Sequence, residues 1–213
     1  MSVRTTVNVV RHGEVYNPTK ILYGRLPGFR LSTLGEQMAV VASEYFADRD
    51  IVHVGASPLE RAQQTAAPIA AKHNLSIATD INLIEADNVF EGQRVSVGDG
   101  VLREPRTWRH LWNPFRPSWG EPYIEVAARM RVAIDTAREA AAGHEAVLVS
   151  HQLPIWISRL DAEGRRFVHD PRHRQCTLAS VTSFTYEDDK LVAVTYAEPA
   201  AELLKISQNG VGA

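Results

Sequence analysis

Short apolar runs alternate with longer amphipathic stretches along most of this chain, and that alternation restricts its fold more than any other feature. Val7, Val9 and Val10 lie in a run over 6–10 that reads as a buried strand and stops at Arg11-His12-Gly13. The runs 51–56, 75–79, 145–149, 181–186 and 191–196 read the same way, the last two joined through Glu187-Asp188-Asp189-Lys190. Between them, Met38, Val41 and Tyr45 recur at helical intervals behind Thr33 and Glu36, which have capping-box spacing. A second helix is predicted from Ser57-Pro58-Leu59-Glu60, with Ser57 as its cap, Pro58 at the first position and Glu60 closing the box; it carries Arg61 and reaches about His73. Apolar residues at 124, 127, 130, 134, 137 and 141 trace a third helix, with Gly143 placed to end it, and a fourth begins near Pro154. Strands alternating with helices predict an α/β protein: one domain over 1–213, a three-layer α/β/α sandwich with a mostly parallel central sheet.

Composition agrees with a folded chain of this kind. At 213 residues and 45% hydrophobic content it can bury a substantial core. A net charge of -2 argues against general affinity for nucleic acid or an anionic membrane. The single cysteine, Cys176, excludes an internal disulfide framework and any cysteine-based zinc site, and reads as a buried apolar filler. There is no run of eighteen apolar residues, and the first ten residues are too short an apolar stretch for a signal peptide, so the expected address is the cytoplasm. Two segments break the rhythm. An insertion over 88–122 carries Trp108, Trp112, Phe115 and Trp119 and reads either as a lid over a pocket or as a small hydrophobic sub-core. Residues 198–213 read as a flexible tail with one helical turn near Leu203.

In an open α/β sheet, ligands sit beyond the carboxyl ends of the strands. Three predicted strands end in chemically useful groups: Arg11-His12-Gly13-Glu14, then Ser57 with Arg61, then Ser150-His151. If these strands are parallel neighbours, two arginines, two histidines and a helix start converge on one rim. That set suits a doubly charged anion, and phosphate is the obvious candidate. Taken singly, each residue favours a blander reading, as a surface ion-pair partner or a strand-end accident; taken together at strand ends, they favour the site.

The chain resembles the histidine phosphatase superfamily, the phosphoglycerate mutase-like enzymes. Four blocks carry the resemblance in order: Val9-Val10-Arg11-His12-Gly13-Glu14 with Asn17; Ser57-Pro58-Leu59-Glu60-Arg61 with Thr65; Leu83-Ile84-Glu85 with Phe90-Glu91-Gly92; and Val147-Leu148-Val149-Ser150-His151. It implies that His12 is the nucleophile and forms a phosphohistidine, which requires a neutral ring whose other nitrogen is held by an acceptor. Glu85 is implied as general acid, protonating an alkoxide leaving group and later accepting a proton from water. Arg11, Arg61 and His151 would neutralise the phosphoryl oxygens, and Gly13, Asn17 and Gln152 complete the expected phosphate-binding set. No metal and no cofactor are expected. The expected partner is a small phosphorylated substrate, and the expected assembly a monomer or homodimer.

The resemblance leaves three functions: a phosphomonoester phosphatase, a phosphoglycerate mutase-type isomerase and a non-catalytic phosphoryl-binding protein. Mutases of the family follow their catalytic glutamate with Arg-His-Tyr-Gly, whereas Glu85 here precedes Ala86-Asp87-Asn88-Val89, which disfavours mutase activity. Every expected catalytic position is filled, which disfavours the non-catalytic reading. Gln152 stands where glycine usually follows the second histidine, and a side chain there narrows the pocket or adds a hydrogen bond. The residues Arg159, Arg165, Arg166, Arg172 and Arg174 form a basic run that reads as a solvated face or as a surface for an anionic substrate. Trp108, Arg109, Trp112, Phe115 and Arg116 hint at a sizeable or anionic leaving group. His169 and His173 have the spacing of two metal ligands on a helix, but Pro171 between them favours a loop.

Overall fold

The structure, a computed structural model, describes residues 2–96, 99–100 and 120–207. In chain order the elements are strand β1 (Arg4–Arg11), helix α1 (Thr33–Tyr45), β2 (Ile51–Ala56), α2 (Glu60–Lys72), β3 (Ile77–Thr79), a two-stranded ribbon of β4 (Val95–Ser96) and β5 (Asp99–Gly100), α3 (Tyr123–Ala140), β6 (Glu145–Ser150), α4 (Gln152–Ala162), β7 (Val181–Glu187), β8 (Lys190–Ala197) and α5 (Ala201–Leu204). The main sheet has six strands in the order β3-β2-β6-β1-β7-β8. Its first four strands run parallel, β7 runs antiparallel to β1 and β8 antiparallel to β7, so the expected mostly parallel α/β architecture is what forms.

Alternation along the central strands sends their apolar side chains to both faces. On one face Val7, Val9, Ala146, Leu148 and Phe184 pack with Met130, Ala133 and Ile134 of α3 and with Ile155 and Ile157 of α4. On the other, Val10, Val147, Val149 and Val181 pack with Ala62, Ala66 and Ile69 of α2. Each fully buried aliphatic side chain of this kind stabilises the fold by roughly 1.5–3 kcal/mol. The two faces therefore clamp β1 and β6 between helices and leave only their ends free for chemistry.

Several local expectations shift. Helix α1 is capped by Ser32, whose hydroxyl accepts from the Gly35 N–H, so Thr33 is the first helical residue rather than the cap. Ile124 is 64% exposed and lies off the buried stripe of α3, because Val126 takes the inward position in the first turn. Over the stretch expected as a tail, residues 201–204 form the expected helical turn; Ala200 is buried with Met38 and Ala42, and the Ser207 hydroxyl donates to Glu14. Most of the expected lid, including Trp108, Arg109, Trp112, Phe115, Arg116 and Trp119, lies outside the described residues, as do residues 208–213. Among the described residues no helix is long and apolar enough to cross a membrane.

Candidate active site

Register brings the candidate residues together. Arg11 of β1 pairs with Ser150 of β6, so His12 and His151 leave adjacent parallel strands at the same level. The His12 N–H donates to the Ser150 carbonyl at 3.1 Å, and the two imidazole centroids lie 5.1 Å apart. On the other side of β6, the Ser57 N–H donates to the Val149 carbonyl, which sets the end of β2 at the same height. Ser57 does not cap α2 as its sequence suggested. The helix starts from Leu59 without a side-chain cap, because the Ser57 hydroxyl is held 2.8 Å from His151 Nε2 and accepts from the Leu59 N–H instead. Arg61 then enters from the first turn of α2 and is 1% exposed.

The His12 ring is fixed in one tautomer. Its Nδ1 lies 2.8 Å from the Gly13 carbonyl, which can only accept, so Nδ1 carries the proton and Nε2 keeps its lone pair. Nε2 is buried and has no hydrogen-bond partner among the described residues. It is not alone in this. Of eight buried side-chain polar atoms left without a partner among the described residues, five belong to this cluster: Arg11 Nε, His12 Nε2, Arg61 Nε, Glu85 Oε2 and His151 Nδ1. Unpaired buried polar atoms each cost about 1–3 kcal/mol, so a concentration of them in one place marks a site shaped for a polar ligand. Two guanidinium donors with one free nitrogen lone pair suit an oxyanion carrying an electrophilic centre.

The electrostatics follow from burial. His12 has its pKa pushed well below 6.5, first by desolvation and then by the Arg61 and Arg11 charges, against a smaller opposing pull from the Gly13 carbonyl. His151 is lowered likewise by burial, Arg61, His12 and Arg11. Both rings are therefore neutral without a ligand, and a bound dianion would favour protonation of His151. Glu85 is raised by burial, against the Ala86 N–H that its Oε1 accepts and the charges of Arg61, Arg11 and Arg174. A neutral histidine nitrogen thus shares one buried space with a carboxyl group that holds its proton to higher pH than a free carboxyl does.

The remaining residues expected at the site are engaged within the protein. The Gly13 N–H donates to Thr65 Oγ1, which itself donates to the Arg61 carbonyl and so ties the β1 loop to α2. Glycine is required at 13 because a Cβ there would sit 2.5 Å from the Gly35 carbonyl oxygen. Asn17 donates to the Ile21 carbonyl and accepts from the Ile21 N–H, closing its own loop. Gln152 reaches the Cys176 carbonyl and accepts from Arg174 Nη1, both at 3.4 Å. Glu91 accepts from the Arg25 N–H. Cys176 is buried, and desolvation raises its thiol to about 11, so it is inert.

One residue escaped sequence reasoning and another was placed by it only as part of a run. Tyr23 is buried beside His12, with Arg61 stacked 4.7 Å from its ring centroid; nothing in its local sequence distinguishes it from a core aromatic. Arg174 belongs to the expected basic run but separates from it. Arg159 and Arg165 pair with Glu163, and Arg172 pairs with Asp170. Arg174 instead turns inward near Glu85. His169 and His173 form no metal site: His169 Nδ1 donates to the Phe167 carbonyl, and no group of three ligating side chains occurs among the described residues.

A family model for the histidine phosphatase superfamily (branch 1) matches residues 7–199, and the chain belongs to this family. The chain is 61% identical over 201 residues to "Uncharacterized protein Rv0525" of Mycobacterium tuberculosis (strain ATCC 25618 / H37Rv), covering 94% of this chain and 100% of that one. It is 32% identical over 183 residues to "Probable phosphoglycerate mutase GpmB" of Yersinia enterocolitica, covering 82% of this chain and 83% of the relative. Among solved structures, mycobacterial glucosyl-3-phosphoglycerate phosphatase Rv2419c in complex with VO3 superposes with a TM-score of 0.67 at 26% identity, covering 84% of this chain and 90% of that one. The relatives thus include both phosphatases and phosphoglycerate mutase-like proteins.

Proposed function

We propose that this protein is a metal-independent phosphomonoester phosphatase that works through a phosphohistidine on His12. The observation that carries this reading is the His12 ring itself. Its Nδ1 is pinned to the Gly13 carbonyl, and its unpartnered Nε2 shares a buried cluster with the unpartnered Nε atoms of Arg11 and Arg61.

In the first step Nε2 attacks phosphorus and the bond from phosphorus to the ester oxygen breaks. Arg11, Arg61 and His151, which takes a proton from solvent water as the dianion binds, hold the non-bridging oxygens, while Glu85 gives its proton to the leaving alkoxide. In the second step water attacks phosphorus, the P–N bond breaks, and the Glu85 carboxylate takes the proton released by the water. His12 returns neutral and phosphate leaves. Fixed positive charge from two arginines supplies the electrostatic stabilisation a metal would otherwise provide. All five groups come from one chain, so a monomer suffices, and a cytoplasmic enzyme acting on a small phosphorylated metabolite is the setting this chemistry fits.

The 32% identity to a probable phosphoglycerate mutase supports a second reading, in which phosphohistidine returns the phosphoryl group to another oxygen of the substrate. The exposed Asp87, two residues after Glu85, weighs against it, since the mutases of the family have cationic residues just beyond this glutamate. The test is phosphate release from an aryl phosphate in the presence of a chelator, for wild type and His12→Ala, with alkaline quenching to trap an acid-labile, alkali-stable phosphoenzyme. Release that survives the chelator and vanishes with His12 supports hydrolysis. Activity restored only by added divalent metal, or phosphoenzyme formed in His12→Ala, sinks the proposal.

A further inference from the structure

Arg174 is a part-buried cation that the phosphate chemistry does not use. It sits between the short helical turn Pro171–His173 and β7, and burial lowers its pKa, so its charge is poorly solvated. Among the described residues no carboxylate lies within ion-pair distance of it. Its hydrogen bonds go to neutral groups: Nε donates to His169 Nε2 at 2.9 Å and Nη1 to Gln152 Oε1 at 3.4 Å. His169 is itself fixed as an acceptor at Nε2, because its Nδ1–H is spent on the Phe167 carbonyl. Gln152 in turn donates to the Cys176 carbonyl, which also receives Arg11 Nη1. The guanidinium is thus aimed by two side chains and tied through one carbonyl to the phosphate-binding arginine, while Nη2 makes no bond to any of the described residues.

The space it faces is a cavity of about 100 Å³ whose walls include Glu85, Gly24, Tyr123 and Leu153. Gly24 is the residue whose carbonyl receives Arg61, and Glu85 is the proposed acid, so the cavity opens where a leaving-group oxygen would sit. Of the other charged groups lining it, Glu121 is neutralised by Arg25 and Arg129, and Asp87 is solvent-exposed. A desolvated guanidinium without a counter-ion, placed beyond the scissile bond, is incomplete without an anion from outside the protein.

We propose that Arg174 binds a second anionic group, a carboxylate or a further phosphoryl group, carried on the leaving-group side of the substrate, and so determines specificity. Its position relative to the substrate rests on the phosphatase reading, but its affinity for an anion does not. The partner Gln152, which stands where the family usually has glycine, holds the guanidinium in place.

The test uses the full chain and binding rather than turnover. Dissociation constants are measured by calorimetry for propylphosphonate, 3-phosphonopropionate and propane-1,3-diphosphonate. Wild type is expected to prefer at least one of the two doubly anionic ligands over propylphosphonate by about tenfold or more, and which one it prefers identifies the second group. Arg174→Gln is expected to bring that ratio close to one, and Arg174→Lys, which keeps a point charge but loses the fork, to lower it at least threefold. No preference in wild type, no binding of any of the three, equal weakening of all three ligands, or an unchanged ratio in whichever variant folds overturns the proposal. Preference without phosphatase turnover would remove the catalytic reading and leave this one; turnover without preference would do the reverse.

Discussion

His12 and His151 face each other across adjacent parallel strands, ring centroids 5.1 Å apart, because Arg11 and Ser150 are register partners one residue earlier. A slip of one residue between β1 and β6 would turn one imidazole into the opposite helix layer. The site is therefore held by the sheet ladder, and its two histidines are as fixed as the core beneath them.

His12→Ala is expected to reduce turnover of any phosphomonoester by at least about 10³-fold, since no other side chain in the cluster combines a free lone pair with this position. Phosphate release measured alongside near-ultraviolet circular dichroism separates this from loss of fold. Residual activity within tenfold of wild type would remove His12 from the nucleophile role.

Glu85→Gln is expected to slow alkyl phosphates by about 10²–10⁴-fold and aryl phosphates by tenfold or less, because aryloxide leaves with little need of a proton. Steady-state rates on the two ester classes decide it, and equal losses would show that Glu85 is not the acid.

The pH profile follows from the directions of the two shifts. Activity needs neutral His12, whose pKa lies well below 6.5, so the rate rises with pH only on the far acid side. It also needs protonated Glu85, whose pKa is raised from 4.5, so the alkyl-phosphate rate falls as pH climbs above that raised value. The expected outcome is an alkyl-phosphate optimum shifted to acid pH and an aryl-phosphate profile lacking the Glu85 limb. Coincident profiles for the two ester classes would contradict the assignment.

Stability has its own pH dependence. His12 and His151 are buried and neutral with lowered pKa values, so the unfolded chain binds more protons than the folded one as pH drops below about 6.5. Stability is expected to be lost through that window, down to the folded pKa values. Glu85, with its pKa raised, works in the opposite sense, its relative contribution being greatest below 4.5. Between pH 7.5 and 5.5 His12 and His151 act in the same sense as His53 and His169, whose pKa values burial also lowers, so Tm is expected to fall, and His151→Gln should flatten the slope. An equal slope in that variant would show that the histidines do not set it.

Gly13→Ala tests the packing of the nucleophile loop. The added Cβ would lie 2.5 Å from the Gly35 carbonyl of α1, which is backbone and cannot swing away. A loss of about 1–3 kcal/mol in denaturant unfolding is expected, with the Gly13 N–H to Thr65 bond displaced and turnover reduced.

The alternation of apolar runs and helical stretches, with polar groups at three strand ends, was enough to define the α/β class, the parallel sheet and Arg11, His12, Arg61 and His151 of the cluster, whereas Glu85 was implied only by the family resemblance. Those properties are local, since periodicity and strand-end chemistry are written in neighbouring residues. Expectations failed where a distant group competes for a local one: Ser57 leaves its helix cap for His151, which is 94 positions away, and Ile124 yields its inward place to Val126. Tyr23 against Arg61, the β1–β6 register, the orphaned nitrogens and the inward turn of Arg174 were decided only by the tertiary structure. Each depends on which groups burial leaves without water, and burial is a property of the assembled layers rather than of any one segment.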